Sequence, residues 1–190
     1  MTIDIELENL SDMDLVLKSA SGDQAAFALI VQRNKAKIAS TVFGMLGESM
    51  EAEDIGHEVF IRFYNSMNNF KGESSLSTYL TRIAINLSLN ELKRRKRSIF
   101  KSFFNTSPSE LNNANSGKSF NDYETKEIVD KCISQLSPKL RPVIVLRLID
   151  RYSTEETAEI LNVPVGTVLS RLARGQKILK ELLTPYRYDK

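Results

Sequence analysis

The feature that most constrains this chain is a polar stretch in its middle. Residues 98–122 hold six Ser and five Asn, one Pro, one Gly and few apolar side chains. A segment of that composition buries too little surface to offset the entropy of ordering it. It predicts a flexible linker, so each flank must build its own core. Phe100, Phe103 and Phe104 at its start are an exception, suited either to extending the preceding helix or to docking on a partner. A chain of 190 residues leaves each flank long enough for one small domain. The expected division is residues 1–97, a linker at 98–122, and residues 123–190.

Both flanks read as helical, and no β alternation is present, so the expected class is all-α. Ser11 with Asp14 resembles a capping box for a short helix from Asp12 to Ala20. Asp23 can cap a second helix, in which Phe27, Ile30, Val31, Ile38, Val42 and Met45 fall mostly three, four or seven apart. A third carries Glu51, Glu53 and Asp54 in its first turns and the stripe Ala52, Ile55, Val59, Phe63, Met67. A fourth runs from about Ser75 to Arg97 on Leu76, Leu80, Ile83 and Leu87. It has a second stripe, Tyr79, Arg82, Asn86, Asn90, Lys93 and Arg97, on one flank. Such a stripe reads either as a plain solvent face or as rings, amides and cations for stacking, base edges and phosphates.

In the second flank, a helix from about Glu124 to Leu136 precedes Ser137 and Pro138, an N-cap and first helical residue. Pro142 implies a late start or a bend there. Ser153 then caps a helix over Thr154 to Leu161; Asn162, Val163 and Pro164 turn the chain; a longer helix runs from near Val165 to about Leu183. Two helices across so short a turn make a helix-turn-helix. Ala158 is small where they cross. Val165, Val168, Leu172 and Leu179 share one side of the second helix, opposite Thr167, Ser170, Arg171, Arg174 and Lys177. That division suits a DNA recognition helix, apolar toward its domain and cationic toward the major groove. An amphipathic bundle helix is the alternative, and the acidic Glu155, Glu156 and Glu159 before it argue mildly against wide phosphate contact.

The net charge of +2 by itself argues against nucleic acid. It hides a gradient: residues 1–90 sum to −5, residues 91–125 to +3 and residues 126–190 to +4. The sharpest feature is the run Lys93, Arg94, Arg95, Lys96, Arg97, which is either a solvated helix end or a phosphate site. One Cys and one His exclude an internal disulfide and make a zinc site unexpected; Cys132 reads as core rather than redox-active. The acidic start MTIDIELENL does not read as a signal peptide, and no apolar run has the length of a membrane span.

Taken together, the segments resemble the bacterial sigma-70 family of transcription initiation factors, in its small two-domain extracytoplasmic function group. LVLKSASGDQAAFALIV looks like the opening of the family's region 2, and AEDIGHEVFIRFYNSMNNFKG like its clamp-binding helix and promoter-reading loop. SSLSTYLTRIAINLSLNELKRRKR looks like the helix that ends that domain. LSPKLRPVIVLRLIDRYSTEETAEILNVPVGTVLSRLARGQKIL is similar to region 4. There are departures. The family usually has Gln at His57 and Trp at Tyr79, and often Lys at Leu169.

The resemblance implies a non-enzymatic factor of the cytoplasm, without cofactor or metal, that joins core RNA polymerase and directs initiation at promoters. Glu53, Asp54, His57, Glu58, Phe60 and Arg62 would face the polymerase β′ clamp, and the second domain would also meet the β flap. Arg171 and Arg174, with Thr167, Ser170 and Lys177, would contact the −35 element. The loop with Phe70, Lys71, Ser75 and Ser77 would hold an unpaired base of the −10 element. Tyr79, Arg82 and Asn86 would contribute to reading there, and Lys93, Arg94, Arg95 and Arg97 would hold phosphates. Few phosphate contacts mean weak binding by the free chain, with polymerase joining two weak readers. Many relatives are held inactive by an anti-sigma protein; no residue here shows which inhibitor, if any, exists. Two rivals remain: a dimeric helix-turn-helix regulator acting alone, and a module that sequesters another protein.

Overall fold

The structure, a computed structural model, describes residues 5–105 and 122–186. No strand occurs among them. The remainder of the expected linker, residues 106–121, lies outside the described residues.

The first domain is α1 (Ile5–Glu8), α2 (Asp12–Ala20), α3 (Gln24–Leu46), α4 (Met50–Ser66), a 3-10 turn (Met67–Asn69) and α5 (Leu76–Asn105). Caps set the starts. Asp23 accepts from the backbone N–H of Ala25 and Ala26, Ser49 from Ala52 and Ser11 from Asp14. The Ser11 motif is not a reciprocal box, because its hydroxyl also donates to the Asp14 carboxylate at 2.6 Å. The helices α2, α4 and α5 pack around α3. Ile30, Ile38, Val42, Val59, Phe63, Leu80 and Ile85 are fully buried between them. Gly47, at φ 78°, ends α3 in a conformation that other side chains resist.

The fourth expected helix ends eight residues late, at Asn105 rather than Arg97. Its continuation, Ser98 to Asn105, contains no Pro or Gly. The breaker residues that mark the stretch as a linker, Pro108 and Gly117, come afterwards. The backbone at Phe100, Phe103 and Phe104 therefore extends the helix.

The second domain is α6 (Asp122–Ser134), α7 (Arg141–Ile144) running into a π-helical turn (Val145–Ile149), α8 (Thr154–Leu161) and α9 (Val165–Leu183), with a 3-10 turn (Thr184–Tyr186). Here α7 starts late, three residues past Pro138. Arg151 then takes a positive φ of 60°, which closes the π turn before α8. Val143, Ala158 and Val168 pack together where α8 and α9 cross. Gly175 lets α9 approach α7, since a Cβ there would lie 2.8 Å from Ile144.

The two domains also dock on each other. Val145, Leu146 and Tyr152 join the same buried cluster as Val42, Met45 and Leu80. The Arg141 guanidinium, 7% exposed, donates to the Met45 carbonyl at 2.8 Å, at the C-terminal end of α3. Burial pushes its pKa down from the ordinary arginine value.

Candidate nucleic-acid and polymerase surfaces

The helix-turn-helix is built from local signals. Ser153 and Glu156 form a full capping box: the Ser153 hydroxyl accepts from the Glu156 N–H at 3.0 Å, and Glu156 accepts from the Ser153 N–H at 2.7 Å. That backbone bond is the main cause holding the Glu156 carboxyl below its usual value. Asn162 adopts the left-handed conformation at φ 50°, and the chain turns into α9 at Pro164. Val168 and Leu179 are buried as expected. Val165 is not: it is 41% exposed at the first turn of α9, beyond the end of α8.

On the opposite side of α9, Ser170, Arg174 and Lys177 are exposed and Thr167 and Arg171 are half-buried. The Ser170 hydroxyl donates to the Thr167 carbonyl at 3.0 Å, leaving its lone pairs outward. Arg171, Arg174 and Lys177 form no ion pair among the described residues. Leu169, where a lysine is common in the resembled family, is 53% exposed on the same helix.

The residues expected to read the −10 element are distributed differently. Ser75 is a cap: its hydroxyl accepts from the Thr78 N–H at 3.1 Å at the start of α5. Phe70 is 7% exposed, beneath the loop rather than on it. It meets Tyr79 edge-on at 5.2 Å between centroids, and both rings meet Phe63. Tyr79 is therefore a half-buried ring braced from behind, while Lys71 stands exposed beside Gly72, at φ 71°. Asn86 is exposed. Ser77 and Arg82 are both engaged by the second domain. The Ser77 hydroxyl lies 3.2 Å from that of Tyr152, and Arg82 pairs with Glu159 at 3.2 Å.

The basic run is only partly free. Glu91, 9% exposed, accepts from Arg94 at 2.7 Å and Arg95 at 3.0 Å. The Arg94 bond is the largest cause lowering its pKa. Arg95 also donates to the Leu46 carbonyl at 3.1 Å, so it caps α3. Lys93, Arg94 and Arg97 are exposed.

On α4, Glu53, Asp54, His57 and Arg62 are exposed, and Glu58 is half-buried and paired with Arg62 at 2.8 Å one turn on. Phe60 is 8% exposed and lines a groove of about 470 Å³ between α3 and α4. Glu53 and His57 line the groove from α4; Val31, Lys35 and Phe43 line it from α3. The polymerase-facing residues expected from the sequence lie only on the α4 side. The available signal was that α3 carries apolar residues on more than one face, Val31 and Phe43 among them, more than one core requires. Among the described residues, no group of three or more His, Cys, Asp or Glu is placed to hold a metal ion, and no helix is long and apolar enough to cross a membrane.

Comparisons with known proteins agree with this architecture. The family described as Sigma-70 region 2 matches residues 30–98, and Sigma-70, region 4 matches residues 126–179. The chain is 36% identical over 170 residues to the ECF RNA polymerase sigma factor SigW of Bacillus subtilis (strain 168), covering 85% of this chain and 91% of that protein. It is 35% identical over 188 residues to the ECF RNA polymerase sigma-E factor of Escherichia coli (strain K12), covering 94% and 97%. Among solved structures it is similar to the sigma factor RpoE in complex with the anti-sigma factor NepR from Bartonella quintana, with a TM-score of 0.66, 21% identity, and coverage of 85% and 98%. It is similar also to CnrH in complex with the cytosolic domain of CnrY, with a TM-score of 0.67, 23% identity, and coverage of 92% and 97%. At those identities the two solved structures establish the fold alone.

Proposed function

The chain belongs to the sigma-70 family, in its extracytoplasmic function group, and we propose which of its residues carry that activity. As a sigma factor it performs no covalent chemistry: it binds core RNA polymerase and directs initiation at promoters. It acts on DNA-bound polymerase in the cell interior, which we assign to the cytoplasm.

In this reading, residues 1–97 form the domain that binds polymerase and melts the −10 element, residues 98–122 the connector, and residues 123–190 the −35 reader. The observation that carries it is the α9 face. Arg171, Arg174 and Lys177 project there without an ion pair among the described residues, on the second helix of a helix-turn-helix. Guanidinium groups so placed can bond to guanine edges or phosphates in the major groove, with Thr167 and Ser170 beside them. In the first domain, the braced Tyr79 ring offers a stacking face, and Lys71, Asn86, Lys93, Arg94 and Arg97 are open to a single strand. Ser77, Arg82 and Arg95 join them only after giving up present partners, and Phe70 and Ser75 act by shaping the loop. A site that pockets an unpaired base favours the melted strand by its differential affinity.

The β′ clamp meets the α4 surface of Glu53, Asp54, His57, Glu58 and Arg62, with Phe60 flooring the groove. The β flap meets the second domain. One structural relative was solved with an anti-sigma factor, and a protein of that kind is a further partner in this reading.

Reconstitution tests it. Added to core polymerase, the chain should yield new transcripts from genomic DNA fragments, and alone it should bind the same promoters weakly and with strong salt dependence. Tight, sequence-specific binding by the free chain would favour the operator-binding regulator instead.

A further inference from the structure

The outward face of α9 is not uniformly cationic. Val165, Leu169 and Ala173 are exposed and fall four residues apart, so they form one row along the helix. Val165 is 41% exposed and Leu169 53%. Val168 and Leu179 already anchor the helix from its buried side, so the row is not needed for packing. It runs beside Ser170, with the exposed Arg174 and Lys177 next to it. One exposed leucine needs no explanation. An apolar row set among the cations of a reading helix does, because water is a poor partner for it.

Gly166 is a separate observation. It stands in the first turn of α9, where glycine is less favourable than alanine. Its φ is not positive, and a Cβ built there would have nothing within 4 Å. Gly175 on the same helix is different, since a Cβ there would lie 2.8 Å from Ile144. The protein's own packing requires Gly175 and does not require Gly166. A bare Cα at the exposed start of a helix permits close approach from outside.

The surrounding charge selects what approaches. Arg174 and Lys177 stand on this face, and no acidic residue lies between Thr167 and Lys180. That combination suits a polyanion that also offers apolar groups. Duplex DNA does so in its major groove, through the thymine C5-methyl. Val165 and Leu169 are about 6 Å apart along the helix axis, the rise of about two base pairs.

We propose that Leu169, with Val165, reads thymine methyl groups in the −35 element, and that Gly166 lets the start of α9 come close to the DNA backbone. This deepens the functional reading of α9 and rests on it. The two rows then have different targets. Guanidinium groups take guanine edges or phosphates, and the apolar row takes A·T pairs. A lysine at position 169 would add a phosphate contact indifferent to sequence, whereas leucine discriminates between bases.

The test uses the full chain with core polymerase, on the promoter fragment that yields most transcript in the genomic reconstitution. Each thymine of its −35 region, on either strand, is replaced singly by uracil, which pairs alike and lacks only the methyl. Uracil at a position that Leu169 reads should weaken holoenzyme binding about fourfold, the worth of one buried methyl. Leu169→Ala should weaken binding to the thymine fragment by a similar factor and abolish the uracil penalty at that position. A general effect of uracil on DNA shape, or a structural role for Leu169, would not produce that coupling. Leu169→Met should keep the penalty. Gly166→Ala should melt no lower than the wild type, because alanine is the better helix former, yet bind the promoter several-fold more weakly.

Tolerance of uracil at every −35 position overturns the proposal, as does a penalty that Leu169→Ala leaves unchanged or a −35 region without an A·T pair. Weaker binding of Leu169→Ala to core polymerase without DNA would make the row a protein contact, which also overturns it. A Gly166→Ala chain that binds the promoter as the wild type does overturns the close approach there. If no fragment is transcribed, or if Arg171→Ala with Arg174→Ala leaves promoter binding unchanged, the functional reading fails and this proposal falls with it. If those cations matter and uracil does not, the proposal falls alone.

Discussion

On α9, Arg171, Arg174 and Lys177 stand without an ion pair among the described residues, whereas on α5 Arg82, Arg94 and Arg95 are all held by carboxylates. The difference follows from neighbours. The α9 face has no acidic residue between Thr167 and Lys180, and Glu181, one turn past Lys177, forms no ion pair with it among the described residues. The α5 face has Glu91 one turn before its basic run and, across the domain contact, Glu159. If α9 reads duplex and α5 a separated strand, as proposed, the first surface is ready-made and the second must exchange internal partners for DNA. Exchange makes affinity conditional, which suits a surface needed only once polymerase has begun to separate the strands.

The largest expected effect tests the ready-made side. Arg171→Ala with Arg174→Ala should cost about 1–3 kcal/mol for each bond to a base or phosphate that is removed. If the two add, transcription from a −35-dependent promoter falls about a hundredfold. The fold should be unaffected, because neither side chain is in the core. A double variant that transcribes normally would show that α9 is not the reader, and the contrast would be left with one side only.

The next tests the exchanging side. Glu91→Gln removes the carboxylate that orders Arg94 and Arg95, and should cost about 2 kcal/mol of stability through the weakened charge-assisted bonds. A pH dependence accompanies it. The Glu91 pKa is held down, chiefly by Arg94, so its stabilisation is fully present above the ordinary glutamate value and is lost as pH falls through the lowered one. Thermal melting of wild type and variant should therefore converge on acidification. If the variant instead matches the wild type at neutral pH, the pairing is incidental, and the basic run is as free as α9.

How legible these surfaces were depended on the range of the signals. The bounds Thr154–Leu161 and Val165–Leu183 follow from a cap, a left-handed Asn and a Pro within a dozen residues, and the structure has them there. The Ser75 cap and the Glu91 pairs span three or four residues and are equally local, yet the sequence suits Ser75, Arg94 and Arg95 to DNA contact just as well, because a polar side chain carries no mark of whether it faces its own helix. Phe70 reads as a loop residue in sequence, and only the fold sets Phe63 and Tyr79 around it. The extension of α5 was hidden by averaging composition over the whole polar stretch. The domain docking was not legible at all. Asp150 meets Thr41 across 109 residues of sequence, and no periodicity in either helix encodes that pairing.

A smaller effect separates scaffold from contact within the ready-made side. Ser153→Ala removes one half of the capping box and should cost about 1 kcal/mol of stability. It should leave promoter choice unchanged, since Ser153 precedes α8 rather than α9. Altered promoter preference at unchanged stability would mean that the cap itself touches DNA.

The smallest effect is the most specific to the comparison. Lys177 lies past the expected base-reading turns of α9, exposed and without an ion pair among the described residues. If it meets one phosphate, Lys177→Ala weakens holoenzyme binding equally at every promoter. It also flattens the slope of log affinity against log salt by about 0.9, the counterion release of a single phosphate. Arg94 is equally exposed but already paired, so Arg94→Ala should change that slope by less, because part of its charge is neutralised before DNA arrives. Slopes reduced equally by the two substitutions would mean that Glu91 gives up Arg94 without cost. The two surfaces would then differ only in the free chain and not when DNA is bound.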